Sequence, residues 1–145
     1  MTDSFGTAKQ QAAVFEEIRR AHQSEVAEDY VEMIADLIAA TGEARVVDLA
    51  ERFGVAQPTA AKIVARLQRE GLVTSRPYRS VFLTEAGEAM AQHARRRHQI
   101  VLDFLRALGV SDAQAEIDAE GVEHHVSEET LAAFARLTEQ MRGRN

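Results

Sequence analysis

The chain has 145 residues, 46% of them hydrophobic and 28% charged, the balance of a globular protein with one good core or two small cooperating ones. It contains no cysteine, which excludes disulfides, thiolate nucleophiles and thiolate metal ligands, so any metal must be held by oxygen and nitrogen. The net charge of -6 hides a reversal: residues 1–44 hold three basic and nine acidic groups, residues 45–80 seven basic and three acidic, and residues 81–145 seven basic and eleven acidic, so a basic block suited to phosphates sits between two acidic ones.

No apolar run approaches the ~18 residues that span a bilayer, and the polar start Met1-Thr2-Asp3-Ser4 lacks a secretory signal. A cytoplasmic protein without a membrane partner is expected. In chain order, Val14, Phe15 and Ile18 recur at helical spacing and predict a short amphipathic helix over about residues 9–22 whose purpose the sequence does not disclose. A stronger helix is expected over about 25–40, with Val26, Tyr30, Val31, Ile34, Leu37 and Ile38 on one face and Gly42 as its stop. Val46 to Phe53 reads as a short helix, Gly54 as a turn, and Gln57-Pro58-Thr59 as the start of a helix to about Glu70, which together make a helix-turn-helix. The runs Leu72 to Arg76 and Ser80 to Leu83 flank a turn and predict a hairpin, the wing of a winged helix, with Arg76 and Arg79 near its tip.

Thr84 is placed to cap a long helix to about Leu108, which Gly109 ends. Ser111 and Gln114 form a capping-box pattern for a helix expected through His125, and Ser127 can cap a last helix with Leu131, Phe134 and Leu137 inward. The fold class expected is therefore mainly α: an N-terminal extension at 1–24, a winged helix-turn-helix with a two-stranded wing at 25–84, and an all-helical metal-binding and dimerisation domain at 85–145. A two-fold homodimer is expected because the apolar stripe of the last third has little other surface to cover it.

The chemistry lies in three groups of side chains. Glu120, Glu123 and His124 fall at i, i+3 and i+4, one face of a helix; Asp29 and Glu32 stand at i, i+3 on the first strong helix; His98 projects from the long one. Taken singly each has a plain explanation, since acidic helix faces are usually solvated and a lone histidine is more often a surface group than a ligand. Taken together they form an oxygen-and-nitrogen set that suits manganese, iron or zinc and leans toward the harder Mn(II). His22 and His93 read as surface residues, and His125 as a support for the site or a contact to a neighbouring helix.

The segments Ala27-Glu28-Asp29-Tyr30-Val31-Glu32, Arg97-His98-Gln99 and Glu120-Gly121-Val122-Glu123-His124-His125 resemble the manganese-responsive branch of the DtxR family in residue type, order and spacing, over residues 25–141. That family consists of metal-activated, homodimeric winged-helix repressors. The resemblance implies that Asp29, Glu32, His98, Glu120, Glu123 and His124 bind one or two Mn(II) ions per subunit. It also implies a palindromic double-stranded operator and control chiefly of manganese uptake genes. Iron-sensing members use softer methionine and cysteine where this chain has Asp29 and Glu120, and carry an additional small β-barrel domain for which the chain leaves no room.

For DNA, Gln57, Thr59 and Lys62 are assigned to base edges or nearby phosphates, and Arg66, Arg76 and Arg79 to the backbone. An iron- or zinc-responsive regulator of the same fold is the alternative. A small manganese or zinc hydrolase would use the same ligands to activate water, but the sequence offers no separate base or oxyanion donor and no small organic substrate is expected.

Overall fold

The computed structural model describes residues 5–76 and 80–143; Arg79 at the expected wing tip lies outside the described residues. The elements are α1 (Ala8–Thr41), α2 (Val46–Phe53), α3 (Gln57–Arg69), β1 (Val73–Thr74), β2 (Phe82–Leu83), α4 (Glu85–Ala107), α5 (Asp112–Val122) and α6 (Glu128–Arg142).

The two helices expected over 9–22 and 25–40 are one helix of 34 residues. Thr7 and Gln10 cap its start reciprocally, with the Thr7 hydroxyl accepting from the Gln10 amide at 3.1 Å and the Gln10 carboxamide oxygen from the Thr7 amide at 2.8 Å. No glycine or proline interrupts residues 8–41. Ser24, between the two expected helices, turns its hydroxyl back to the carbonyls of Ala21 and Arg20, and the helix continues through it.

The helix-turn-helix and wing form as expected. Gly54 takes a left-handed φ of 67° between α2 and α3, a conformation that costs other residues more. Ala60, Val64 and Leu67 turn inward from α3. In the wing Val73 pairs with Leu83 and Thr74 with Phe82, antiparallel. The Val81 amide also donates to the Ala44 carbonyl at 2.7 Å, which fastens the wing to the α1–α2 connection.

The wing is joined tightly to α4. The Thr84 hydroxyl accepts from the Gly87 amide and donates to the Gly71 carbonyl at 2.6 Å. A Cβ at position 87 would lie 2.0 Å from the Leu72 carbonyl oxygen, so only glycine admits this approach.

Two apolar cores result. The larger joins α1, α2, α3 and the wing around Val31, Ile34, Leu49, Leu67 and Val81, with Ala91 of α4 at its edge. The smaller joins the second half of α4 to α5 and α6 around Val101, Leu102, Ala115, Ala119 and Leu131, with Phe104 stacked on Phe134 at 4.2 Å.

Helix α5 ends at Val122 and does not run through His125. The Arg97 guanidinium donates to the carbonyls of Glu123 and Val126, and the His125 amide closes a turn on the Val122 carbonyl, so backbone groups that would extend the helix are satisfied otherwise. The capping box expected at its start is half formed: Ser111 accepts from the Gln114 amide, while the Gln114 side chain bonds Asp118.

Candidate metal centre and nucleic-acid interface

Between the two cores, α1, α4 and the end of α5 bring ionisable groups together. Asp29, Glu120, Glu123 and His124 offer ligand atoms that all lie within 4.8 Å of one another. Glu123 is 1% exposed and His124 5% exposed, so neither can be dismissed as part of a solvated face.

His124 is held from both sides. Its Nδ1 lies 2.7 Å from Glu28 Oε2, and because an ionised carboxylate only accepts, that contact places a proton on Nδ1. The opposite nitrogen, Nε2, lies 3.2 Å from both Asp29 Oδ1 and Glu123 Oε1. Neither contact is aligned as a hydrogen bond, and Nε2 and Glu123 Oε1 are both buried without a hydrogen-bond partner among the described residues. A ring nitrogen facing two carboxylate oxygens is an arrangement that needs positive charge between them, as a proton on the ring or as a bound cation.

His98 reaches the same cluster from α4. Its Nδ1 lies 3.0 Å from Glu123 Oε2 and 3.5 Å from Glu120 Oε1, and its Nε2 lies 3.2 Å from Glu116 Oε2. Glu32 completes the acidic wall from α1. Burial, then the charges of Glu123 and Glu120, push its pKa up to about 7 against the opposing pull of His98. Glu120 is raised by burial and by Glu123. Burial pulls the His124 pKa down, but Asp29, Glu123 and Glu28 outweigh it and push the value up to about 12. His98 is likewise lowered by burial and raised overall by Glu123, Glu120 and Glu116. All these shifts express one fact: four carboxylates share a partly dry space and hold positive charge there, as protons when nothing else supplies it.

Of the six residues expected from the sequence, Asp29, Glu120, Glu123 and His124 converge, His98 borders them through Glu123 and Glu120, and Glu32 is coupled to Glu123, Glu120 and His98 through its charge. Sequence reasoning missed three neighbours. Glu28 fixes the ring of His124, Glu116 holds the far nitrogen of His98, and Arg97 pins the turn bearing Glu123 and His124. Glu116 was discoverable, since it precedes Glu120 by one helical turn on the same face. Glu28 lies within the segment Ala27 to Glu32 but carries no spacing signal of its own. His125 approaches Glu25 Oε2 at 3.7 Å, and His22 approaches the same oxygen at 3.4 Å.

The basic block occupies a separate surface. Gln57, Thr59 and Lys62 are exposed on α3. An open groove of about 580 Å³ runs between α3 and the base of the wing, with Gln57, Ala61, Gln68 and Arg76 along it and Arg45 and Val47 of the α2 start on its other side. Arg45, the first residue of the basic block, thus also lines this groove. Arg66, expected at the DNA backbone, also bonds within the chain: its Nε pairs with Glu70 at 2.8 Å and its Nη2 reaches the Gln23 carbonyl at 3.5 Å, so it ties α3 to α1.

Comparisons with known proteins agree with both surfaces. Residues 22–81 match the family described as iron dependent repressor, N-terminal DNA binding domain, and residues 84–143 match iron dependent repressor, metal binding and dimerisation domain. The chain is 56% identical over 126 residues to the transcriptional regulator MntR of Escherichia coli O157:H7, covering 87% of this chain and 81% of that protein. It is 37% identical to the HTH-type transcriptional regulator MntR of Lysinibacillus sphaericus, covering 79% of this chain and 82% of that one. A solved structure described as a manganese-dependent transcriptional repressor in complex with manganese superposes with a TM-score of 0.71 at 30% identity; the match covers 78% of this chain and 52% of that chain. Among the described residues no helix is long and apolar enough to cross a membrane. With its winged helix, its helical second domain and the metal-suited cluster between them, the chain belongs to the iron-dependent repressor, or DtxR, family of DNA-binding, dimeric transcriptional regulators.

Proposed function

We propose that the chain is a Mn(II)-activated repressor, acting chiefly on manganese uptake genes, in which Asp29, Glu32, His98, Glu120, Glu123 and His124 hold one or two ions per subunit. The observation that carries this reading is the pair of buried atoms His124 Nε2 and Glu123 Oε1, which face each other at 3.2 Å without a hydrogen-bond partner among the described residues, with Asp29 Oδ1 also 3.2 Å from Nε2. The donor set contains four carboxylates and two imidazoles and no sulfur, which favours a hard divalent cation. The two relatives named MntR support manganese over iron or zinc.

The cation supplies positive charge and a coordination link where the chain has concentrated negative charge. Everything else is done by the protein. Glu28 orients His124 by accepting from Nδ1, leaving Nε2 as the ligating nitrogen. Arg97 fixes the turn that carries Glu123 and His124. Asp29 and Glu32 belong to the helix that forms the floor of the DNA-binding core, whereas Glu120, Glu123 and His124 belong to α5 and the turn after it. With the acidic groups uncompensated, repulsion opposes closure of α1 on α5. With them compensated, the two recognition helices of a dimer are restricted to a narrower range of separations. Less ordering free energy is then needed to enter successive major grooves of a palindromic operator. Gln57, Thr59 and Lys62 face the bases or nearby phosphates, and Arg76 and Arg79 the backbone. Arg66 contributes by holding α3 against α1.

Fluorescence anisotropy on a labelled importer promoter, titrated in parallel with Mn(II), Fe(II), Zn(II) and chelator, tests partner and effector together. Tight, saturable binding in Mn(II) and weak binding in chelator are expected. Equal binding in both would remove the regulatory role, and turnover of a hydrolysable substrate lost on Glu120→Ala would favour metal-dependent hydrolysis.

A further inference from the structure

The N-terminal half of α1 presents an apolar stripe that its own chain leaves bare. Val14, Phe15 and Ile18 are 58%, 59% and 49% exposed, on a helix that continues without a break into the DNA-binding core. Isolated surface hydrophobics are ordinary, but three on one face of a projecting helix are not. The projecting part, residues 8–24, is about 25 Å long at the usual helical rise.

The direction of the stripe identifies what it meets. At about 100° per residue, Val14, Phe15 and Ile18 lie roughly 150° around the axis from Ala27, Tyr30, Val31, Ile34 and Leu37, which face the DNA-binding core. They lie instead in line with Asp36, Asp29 and Glu25. Those residues form a seam with the helical second domain: Asp36 pairs with Arg95 of α4, Asp29 faces His124, and Glu25 faces His125. Followed toward the N-terminus, the seam stays on the same side of α1 but changes from charged to apolar after His22. From there to its start, every residue of the helix is exposed or only partly buried.

We propose that the N-terminal half of α1 docks through Val14, Phe15 and Ile18 on the helical domain of the second copy in the dimer. The occupant is argued from continuity, because this face of α1 already packs on the domain that the family describes as metal binding and dimerisation. That domain has exposed apolar side chains of its own to receive the stripe, including Ile117 of α5 at 66% and Leu137 of α6 at 42% exposure. Two-fold symmetry makes the contact twice per dimer. Since α1 also carries Asp29 and Glu32, the contact fastens the DNA-binding unit of one copy to the helical domain of the other.

The absence of cysteine permits a direct test. Gln11 lies on the stripe beside the three apolar residues, so Gln11→Cys carrying a benzophenone probe reports what covers it. Photocrosslinks formed in a mixture of isotopically light and heavy full-length chains should join position 11 of one copy to residues 84–143 of the other. The triple variant Val14→Gln, Phe15→Gln, Ile18→Gln should keep its helical circular dichroism and raise the dimer dissociation constant about tenfold or more in sedimentation equilibrium. Crosslinks confined to the same chain, crosslinks only between the two extensions, no crosslinks, or a dimer constant unchanged within about twofold would each overturn the proposal. Metal-dependent DNA binding is measured separately by anisotropy, so failure here is distinguishable from failure of the repressor reading.

Discussion

The metal cluster and the recognition face of α3 are built on opposite plans. In the cluster three of the six candidate donors are fixed by a neighbour within the chain: Glu28 holds His124, Glu116 holds His98, and Arg97 holds the turn that presents Glu123. On α3, Gln57, Thr59 and Lys62 stand exposed. The difference follows from the size and place of the ligand. A small ion between buried carboxylates gains from donors already in position, because any reorganisation would be charged against its binding. A phosphate backbone is reached by long side chains at the surface, where mobility costs less and screening by salt is strong. Substitutions should therefore be sharply graded in the cluster and shallow on α3.

The largest expected effect is at the buried pair. His124→Ala or Glu123→Gln should lower Mn(II) affinity by more than about 100-fold, seen by calorimetry, and abolish the Mn(II) response of DNA binding. A retained response in both variants would place the site elsewhere. Next comes Glu28→Gln, which keeps the volume beside His124 but exchanges a carboxylate acceptor for an amide; a loss of about tenfold in Mn(II) affinity is expected, at the lower end for an outer partner of a ligand.

Acidity should act on the cluster alone. Glu32 has a folded-state pKa raised to about 7, so its protonated form is favoured by the metal-free fold. The stabilisation this gives is complete below the ordinary carboxylate range and is lost as pH rises through about 7. The metal-free protein should lose thermal stability across that interval while Mn(II) binding tightens, because the ion takes the place of the proton. Glu32→Gln should flatten both trends. The smallest effect is on α3: Lys62→Ala should weaken DNA binding by about threefold to tenfold at moderate salt and reduce the slope of affinity against salt by about one ion. Mn(II) affinity should be unchanged.

The same contrast explains what the sequence disclosed. The candidate ligands Glu120, Glu123 and His124 are readable as a group from their i, i+3, i+4 spacing, although α5 ends at Val122 and the turn pinned by Arg97 presents the last two; the basic block is readable because charge is counted locally. The partners of ligands were less visible. Glu28 acts across 96 positions on His124 and Arg97 across 26 on the Glu123 carbonyl, and no local period encodes contacts of that range. The division of α1 into two helices failed for a related reason. The apolar stripe of residues 14–18 and that of residues 26–38 lie on different faces, which reads as two helices in a pattern but is one helix whose two halves serve different surfaces. The charge of Arg66 suggests a contact to the DNA backbone, while no local sequence signal singles out its bond to the Gln23 carbonyl.

The central claim is that one cluster couples the two domains, and reciprocity tests it most directly. Operator affinity is measured with saturating Mn(II) and with chelator, and Mn(II) affinity with and without operator, all on the same protein. The account predicts that the two ratios are equal, and that both collapse to unity in His124→Ala. An operator affinity indifferent to Mn(II), in a protein that still binds the ion, would contradict it.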